Sequence, residues 1–146
     1  LIYDDAIEKL KTRLMPLATL ITPNVMEAEV LSGIKITDDN SVINAAMEIS
    51  KYYKGDILIK GGHIGEDASD MLYVNGECFW IKGERIDNTN THGTGCTLSS
   101  AIACNLAKGY NVLDSIKNAK KYLSGAIEEN LNIGMGRGPL KHSYLL

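Results

Sequence analysis

Cysteine is scarce in this chain: three in 146 residues, Cys78, Cys96 and Cys104. An odd, widely spaced set makes a poor disulfide framework, and no Cys-x-x-Cys pair occurs. The three histidines, His63, His92 and His142, lack metal-ligand spacing. Reduced thiols in a cytoplasmic protein are the expectation. Positive charge is not in excess either, with 15 Lys and Arg against 18 Asp and Glu and a formal net charge of -3. That excludes a dedicated binder of nucleic acid or anionic membrane, which would carry a basic face. No apolar run approaches the roughly 20 residues of a membrane span, and no charged-then-apolar leader opens the chain. Two common phosphate signatures are also missing. Neither Gly-x-x-x-x-Gly-Lys-Ser/Thr nor Gly-x-Gly-x-x-Gly occurs, so any nucleotide site is of another type.

What is present is ordinary for a globular domain: 45% apolar and 23% charged residues, with no repeat and no low-complexity segment. The length suits one domain over 1–146. The chain opens at Leu1, without an initiator Met, and runs straight into a helical pattern, as a piece of something longer would.

Ala6, Ile7, Leu10 and Leu14 recur at helical spacing after Asp4 and Asp5, and Pro16 is expected to stop that helix. Leu17 to Thr22 reads as a short buried strand ended by Pro23. Asn24 to Gly33 reads as a helix, with Asn24 as N-cap, Glu27 set for a capping box and Gly33 as the stop. A further helix starts among Asp38, Asp39 and Ser41 and is closed by Gly55. Asp56 to Gly62 is a strand running into a double glycine. Ser69–Val74 and Glu77–Ile81 flank Asn75-Gly76, a type I′ hairpin signal. Thr97 to Ala107 is a small-residue helix, and a last helix begins at Asn111 or Val112. The tail from Gly134 to Pro139 breaks regular structure. This order predicts an α/β fold: a mostly parallel sheet with an edge hairpin and flanking helices.

The chemistry concentrates at Thr89-Asn-Thr-His-Gly-Thr-Gly-Cys96 and the apolar run after it. A glycine turn feeding a helix N-terminus offers free N–H groups and the positive end of the helix dipole to an anion. The N–H groups of Gly93, Thr94, Gly95 and Cys96 could converge on one oxyanion, and phosphoryl transfer needs mainly such donors, a metal and a positioned acceptor. A thiol at that helix start gains reactivity. Three readings of Cys96 stay open on the residues alone: nucleophile, proton acceptor or lining of the anion site, and small packing residue. Cys104 reads as core and Cys78 as strand packing. Lys60, at the end of an apolar strand, has either an anion or an ordinary salt-bridge partner to meet. Asn24 and Glu27 are explained by capping alone, or by capping together with a ligand.

Taken together, Thr91-His-Gly-Thr-Gly-Cys-Thr97, Thr22-Pro-Asn-Val-Met-Glu-Ala-Glu29 and Lys60-Gly-Gly-His63 resemble the hydroxymethylpyrimidine/phosphomethylpyrimidine kinases of thiamine biosynthesis, in the ribokinase-like superfamily. Gly134-Met-Gly-Arg-Gly-Pro-Leu-Lys-His142 is similar to that family's tail, with Met135 replacing a histidine and Ser143 standing where an aromatic is common. The resemblance implies ATP-dependent phosphorylation of 4-amino-5-hydroxymethyl-2-methylpyrimidine and of its monophosphate, with Mg2+. It implies an anion hole at Gly93, Thr94, Gly95 and Cys96, where the sugar kinases of the superfamily carry an aspartate base at the position of Cys96. It implies a nucleotide side comprising Asn24, Lys60, Thr91 and Lys120, with Glu27 meeting the metal through water. Family members are about twice as long, so the chain resembles the carboxyl-terminal half of one ribokinase-like kinase domain. Half a domain is expected to be inactive alone, because the pyrimidine pocket lies largely in the absent amino-terminal half. The expected partners are the pyrimidine and ATP, with either a second copy in a homodimer or the absent half on the protein side. Two rivals fit the same residues: a pyridoxal/pyridoxine kinase, and a non-catalytic truncated nucleotide-binding module.

Overall fold

The computed structural model describes residues 4–61, 69–83, 86, 88, 93–129, 131, 133 and 138–145. They fall into two compact units, Leu1–Gly83 and Glu84–Leu146.

The first unit begins with helix α1 (Asp4–Lys9), which continues as a π-helical turn, Leu10–Leu14, and a 3-10 turn, Met15–Leu17. Pro16 therefore does not end the helical path. It occupies the start of the 3-10 turn, where a missing N–H costs nothing. Leu17 is correspondingly not strand but turn, and is 82% exposed. The strand predicted over 17–22 shrinks to β1 (Leu20–Ile21), which is half-buried.

Helix α2 (Val25–Ser32) follows. Asn24 Oδ1 accepts from the Glu27 N–H at 2.9 Å, and the Asn24 N–H donates to Glu27 Oε2 at 2.7 Å. Gly33, at φ 74°, closes the helix in the left-handed conformation. The same logic starts α3 (Asp39–Ser50), with Asp38 as N-cap and Ser41 as its reciprocal partner. Val42, Ala45, Ala46 and Ile49 form its buried face.

Strands β2 (Asp56–Ile59), β3 (Asp70–Val74) and β4 (Glu77–Ile81) complete a four-stranded sheet in the order β1-β2-β3-β4. Within the described sheet, β1–β2 pair in parallel, while β2–β3 and β3–β4 are antiparallel. The described sheet is thus mixed rather than mostly parallel. Helices α2 and α3 lie between β1 and β2 in sequence and make a crossover, whereas 60–69 is shorter than the dozen or so residues a parallel return needs. The β3–β4 hairpin turns at Asn75 (φ 51°) and Gly76 (φ 86°), the pair of positive φ angles that a type I′ turn requires. Its outer strand leaves Phe79 and Trp80, cross-strand neighbours of Leu72 and Met71, partly exposed. Ile57, Ile59 and Met71 join the α2 and α3 side chains in one core. Cys78 packs against that core, and burial pushes its thiol up from the ordinary value, as a packing cysteine should behave.

The second unit is built on helices α4 (Thr94–Ala107) and α5 (Val112–Glu128), packed on each other. Asn111 caps α5 by accepting from the Asp114 N–H. Ser115, Ile116, Ala119 and Ala126 give α5 its buried stripe. The chain end folds back on α5. The Lys141 N–H donates to Ala126 O, Tyr122 Oη donates to His142 O at 2.7 Å, and the Tyr144 ring lies against Gly125 where a Cβ would collide with it. None of the described helices is long and apolar enough to cross a membrane.

Candidate active site

In the first unit, three of the anticipated site residues meet at the carboxyl ends of β1 and β2. Asn24 and Lys60 form a parallel bridge just beyond the two strands, with the Lys60 N–H donating to Pro23 O at 2.9 Å. Parallel pairing explains this convergence: both chains leave the sheet at the same edge, where α/β sheets bind ligands. Lys60 is half-buried, and its ammonium has neither an ion pair nor a side-chain hydrogen bond among the described residues. The ordinary salt bridge anticipated as an alternative has no counterpart among the described residues. Asn24 and Glu27 do cap α2, so the capping explanation holds for both. The cap engages Asn24 Oδ1 and one carboxylate oxygen of Glu27, leaving the amide nitrogen and the other oxygen outside it.

In the second unit, α4 begins three residues earlier than the sequence suggests, so Thr94, Gly95 and Cys96 form its first turn rather than a preceding loop. Gly93 is the N-cap, at φ 85°, and no side chain caps the helix. The first intrahelical bond runs from the Thr97 N–H to Gly93 O at 2.9 Å. The N–H groups of 94 to 96 therefore have no acceptor within the helix. Left-handed φ at Gly93 is what lets the chain turn into α4 at that angle, and a Cβ there would meet strain rather than a neighbour.

Cys96 is exposed in this turn, beside the free donors. Packing, one of its three readings, loses its support. Cys104 is also exposed, against the expectation of a core residue. The cause is helical register: residues 96, 100 and 104 fall on one face of α4, and in this unit that face lines an open concavity of about 720 Å³ together with Asn105, Lys108 and Tyr122. Lys120 stands half-buried in the middle of α5 and has an interaction partner. Thr91, His92, Gly62, His63 and 134–137 lie outside the described residues.

One residue carries no functional reading from its sequence: Asp70, the first residue of β3, is only 5% exposed, and its Oδ1 accepts from the Gly61 N–H at 3.0 Å. Gly61, in the double glycine after β2, has no room for a side chain, because a Cβ on it would collide with the Ser69 carbonyl oxygen. The available signal was an acid at the head of the apolar run Asp-Met-Leu-Tyr-Val, a costly residue to bury without a purpose. Among the described residues, no three His, Cys, Asp or Glu side chains cluster as a metal-binding group would require.

Comparison with known proteins bears on these features. A sequence model of the phosphomethylpyrimidine kinase family matches residues 1–141. A hydroxymethylpyrimidine/phosphomethylpyrimidine kinase of Streptomyces coelicolor is 42% identical over 146 residues, covering 100% of this chain and 54% of that protein. Among solved structures, an ADP complex of Bacillus subtilis pyridoxal kinase is 38% identical, with a TM-score of 0.90 over 99% of this chain and 57% of its own. A phosphomethylpyrimidine kinase from Clostridium difficile is 37% identical, with a TM-score of 0.73 over 87% of this chain and 51% of its own. The chain spans about half the length of the curated relatives it matches. Its architecture is that of part of a ribokinase-like kinase, and with the family match over nearly its whole length it belongs to the phosphomethylpyrimidine kinase family.

Proposed function

We propose that this chain is the phosphoryl-transfer part of one ribokinase-like kinase domain, which uses MgATP to phosphorylate hydroxymethylpyrimidine and its monophosphate for thiamine diphosphate biosynthesis. The observation that carries the reading is the first turn of α4: donors without an intrahelical acceptor, no side-chain cap, and an exposed cysteine among them. In the reaction, the substrate hydroxyl oxygen bonds to the γ-phosphorus while the bond to the β,γ-bridging oxygen breaks and ADP leaves. The N–H groups of Gly93, Thr94, Gly95 and Cys96 hold the transferring oxygens as charge spreads over them. Cys96 receives or steers the hydroxyl proton through its sulfur. Asn24, Lys60, Thr91 and Lys120 serve the nucleotide, with Lys60 supplying a point charge for phosphate. Glu27 keeps a carboxylate oxygen outside its cap, which suits water-mediated contact with Mg2+; the ion's contribution is to neutralise phosphate charge. Three free cysteines fit a reducing, cytoplasmic setting.

The decisive test is Cys96→Ala in the full-length protein. Turnover should fall by about 100-fold or more, as expected for loss of a proton-transfer group, while ATP affinity holds. Turnover near that of the unaltered enzyme would remove Cys96 from the chemistry. The 146-residue chain alone should show little pyrimidine-dependent ATP turnover, and robust turnover would refute its being an incomplete site. A pyridoxal kinase reading has its own support in the solved pyridoxal kinases, whose TM-scores reach 0.91. Side-by-side kcat/KM for hydroxymethylpyrimidine and pyridoxal in the full-length enzyme separates the two.

A further inference from the structure

Lys60 leaves the sheet through a segment held from both sides. On the β1 side, its own N–H donates to Pro23 O at 2.9 Å. On the β3 side, the N–H of the next residue, Gly61, donates to Asp70 Oδ1 at 3.0 Å. Gly61 is itself buried, and the Ser69 carbonyl lies so close that no other residue fits without displacing backbone. The chain is thus fixed immediately before and immediately after the Lys60 Cα.

The acceptor at that second point is unusual. A sheet normally satisfies an N–H with a neighbouring carbonyl, which is neutral. Here a carboxylate does so while only 5% exposed, at the head of a strand whose next two residues, Met71 and Leu72, are buried. Burying a carboxylate is expensive, and part of the return, beside a further interaction of Asp70, is a charge-assisted bond to the Gly61 N–H that is stronger than one to a neutral carbonyl. Plain turn closure does not call for such an acceptor. Holding a lysine whose ammonium has no partner among the described residues does, because an unpaired cation on a four-carbon stem delivers its charge only as accurately as its Cα is held.

We infer that Asp70 is a positioning residue for the nucleotide side of the site, acting through Gly61 to aim Lys60 at phosphate. This rests on the reading of Lys60 as a phosphate-binding residue, and the two can fail separately.

The test is a double-mutant cycle in the full-length protein with Lys60→Ala, Asp70→Ala and their combination, reading KM for ATP, kcat and KM for the alcohol substrate. Asp70→Ala should raise the ATP KM about tenfold, the size expected for loss of one charge-assisted hydrogen bond, with kcat and the alcohol KM little changed. Lys60→Ala should raise it similarly, and the double variant should be no worse than Lys60→Ala alone. Asp70→Asn keeps an acceptor oxygen but not its charge, and should recover part of the loss. Asp70→Glu, which displaces the acceptor by one methylene, should not, and these two variants decide the matter if Asp70→Ala does not fold. Additive effects in the double variant, an unchanged ATP KM in Asp70→Ala, or wild-type behaviour of Asp70→Glu would overturn the positioning role while leaving Lys60 a phosphate ligand. An unchanged ATP KM in Lys60→Ala would remove the Lys60 reading first, and the positioning role with it.

Discussion

At the start of α2, Asn24 and Glu27 take each other's backbone N–H groups, so the helix spends two of its free donors on its own side chains. At the start of α4, a left-handed glycine stands where a capping side chain would, and the donors of the first turn are left for something else. In the proposed reading both helices start at phosphate-linked motifs: α4 would offer its backbone donors without a side-chain cap in the way, and α2 would add the side-chain atoms that its capping box leaves over. A helix end that spends part of its donors on its own side chains offers fewer of them to an anion than one with no side-chain cap.

The largest effect should come from charging the open end. Gly93→Asn and Gly93→Asp have nearly the same shape, and both residue types tolerate a left-handed backbone. The aspartate sets a fixed negative charge beside the donors, so turnover in the full-length enzyme should fall about 100-fold relative to the asparagine variant, comparable to losing an oxyanion donor. Equal rates would break the contrast. Next comes a matched pair of glycines: Gly33 closes α2 at φ 74°, Gly93 opens α4 at φ 85°, and neither has a neighbour where a Cβ would go. Alanine at either should cost about 1–2 kcal/mol of stability through left-handed strain alone. Only Gly93→Ala should also lower turnover; if Gly33→Ala does so to the same degree, the loss is general destabilisation.

A smaller effect belongs to the closed end. Asn24→Ala should cost about 1 kcal/mol, read as a drop of a few degrees in Tm, and Asn24→Asp should restore it. The smallest is a pH dependence. The Ile36 N–H and then Lys35 lower the pKa of Glu29, and the Ser41 N–H lowers that of Asp38. Folded values below the unfolded ones mean that both carboxylates contribute stability above the ordinary carboxylate range, lost as pH falls through the depressed values. Thermal melts from pH 7 to pH 3 should therefore decline less steeply at the acid end for Glu29→Gln, and an unchanged acid limb would argue against the Glu29 contacts.

Local rules carried far here because capping and turn chemistry are written in adjacent residues. Asn24 with Glu27, Gly33, Asn75-Gly76 and Asn111 all do what their spacing implies. The failures share a different cause. Leu17 looks like strand in sequence, but the helical path runs on through Pro16 into a 3-10 turn and leaves it exposed. Cys104 looks like core until α4 sets it in register with Cys96 on an open face. Strand direction went partly astray because it depends on where β3 pairs, not on how apolar β2 is. The Asp70–Gly61 bond joins residues nine apart through a strand return, and no local pattern announces it.

Trp80 gives the comparison of the two units a spectroscopic handle. It is the chain's single tryptophan, and it sits on the outer strand of the hairpin in the first unit, cross-strand from Met71. Its fluorescence therefore follows the melting of the sheet, whereas calorimetry registers the heat taken up by α4 and α5 as well. Coincident transitions would identify the two units as one cooperative domain, and a fluorescence change that precedes or trails the heat signal would identify them as two.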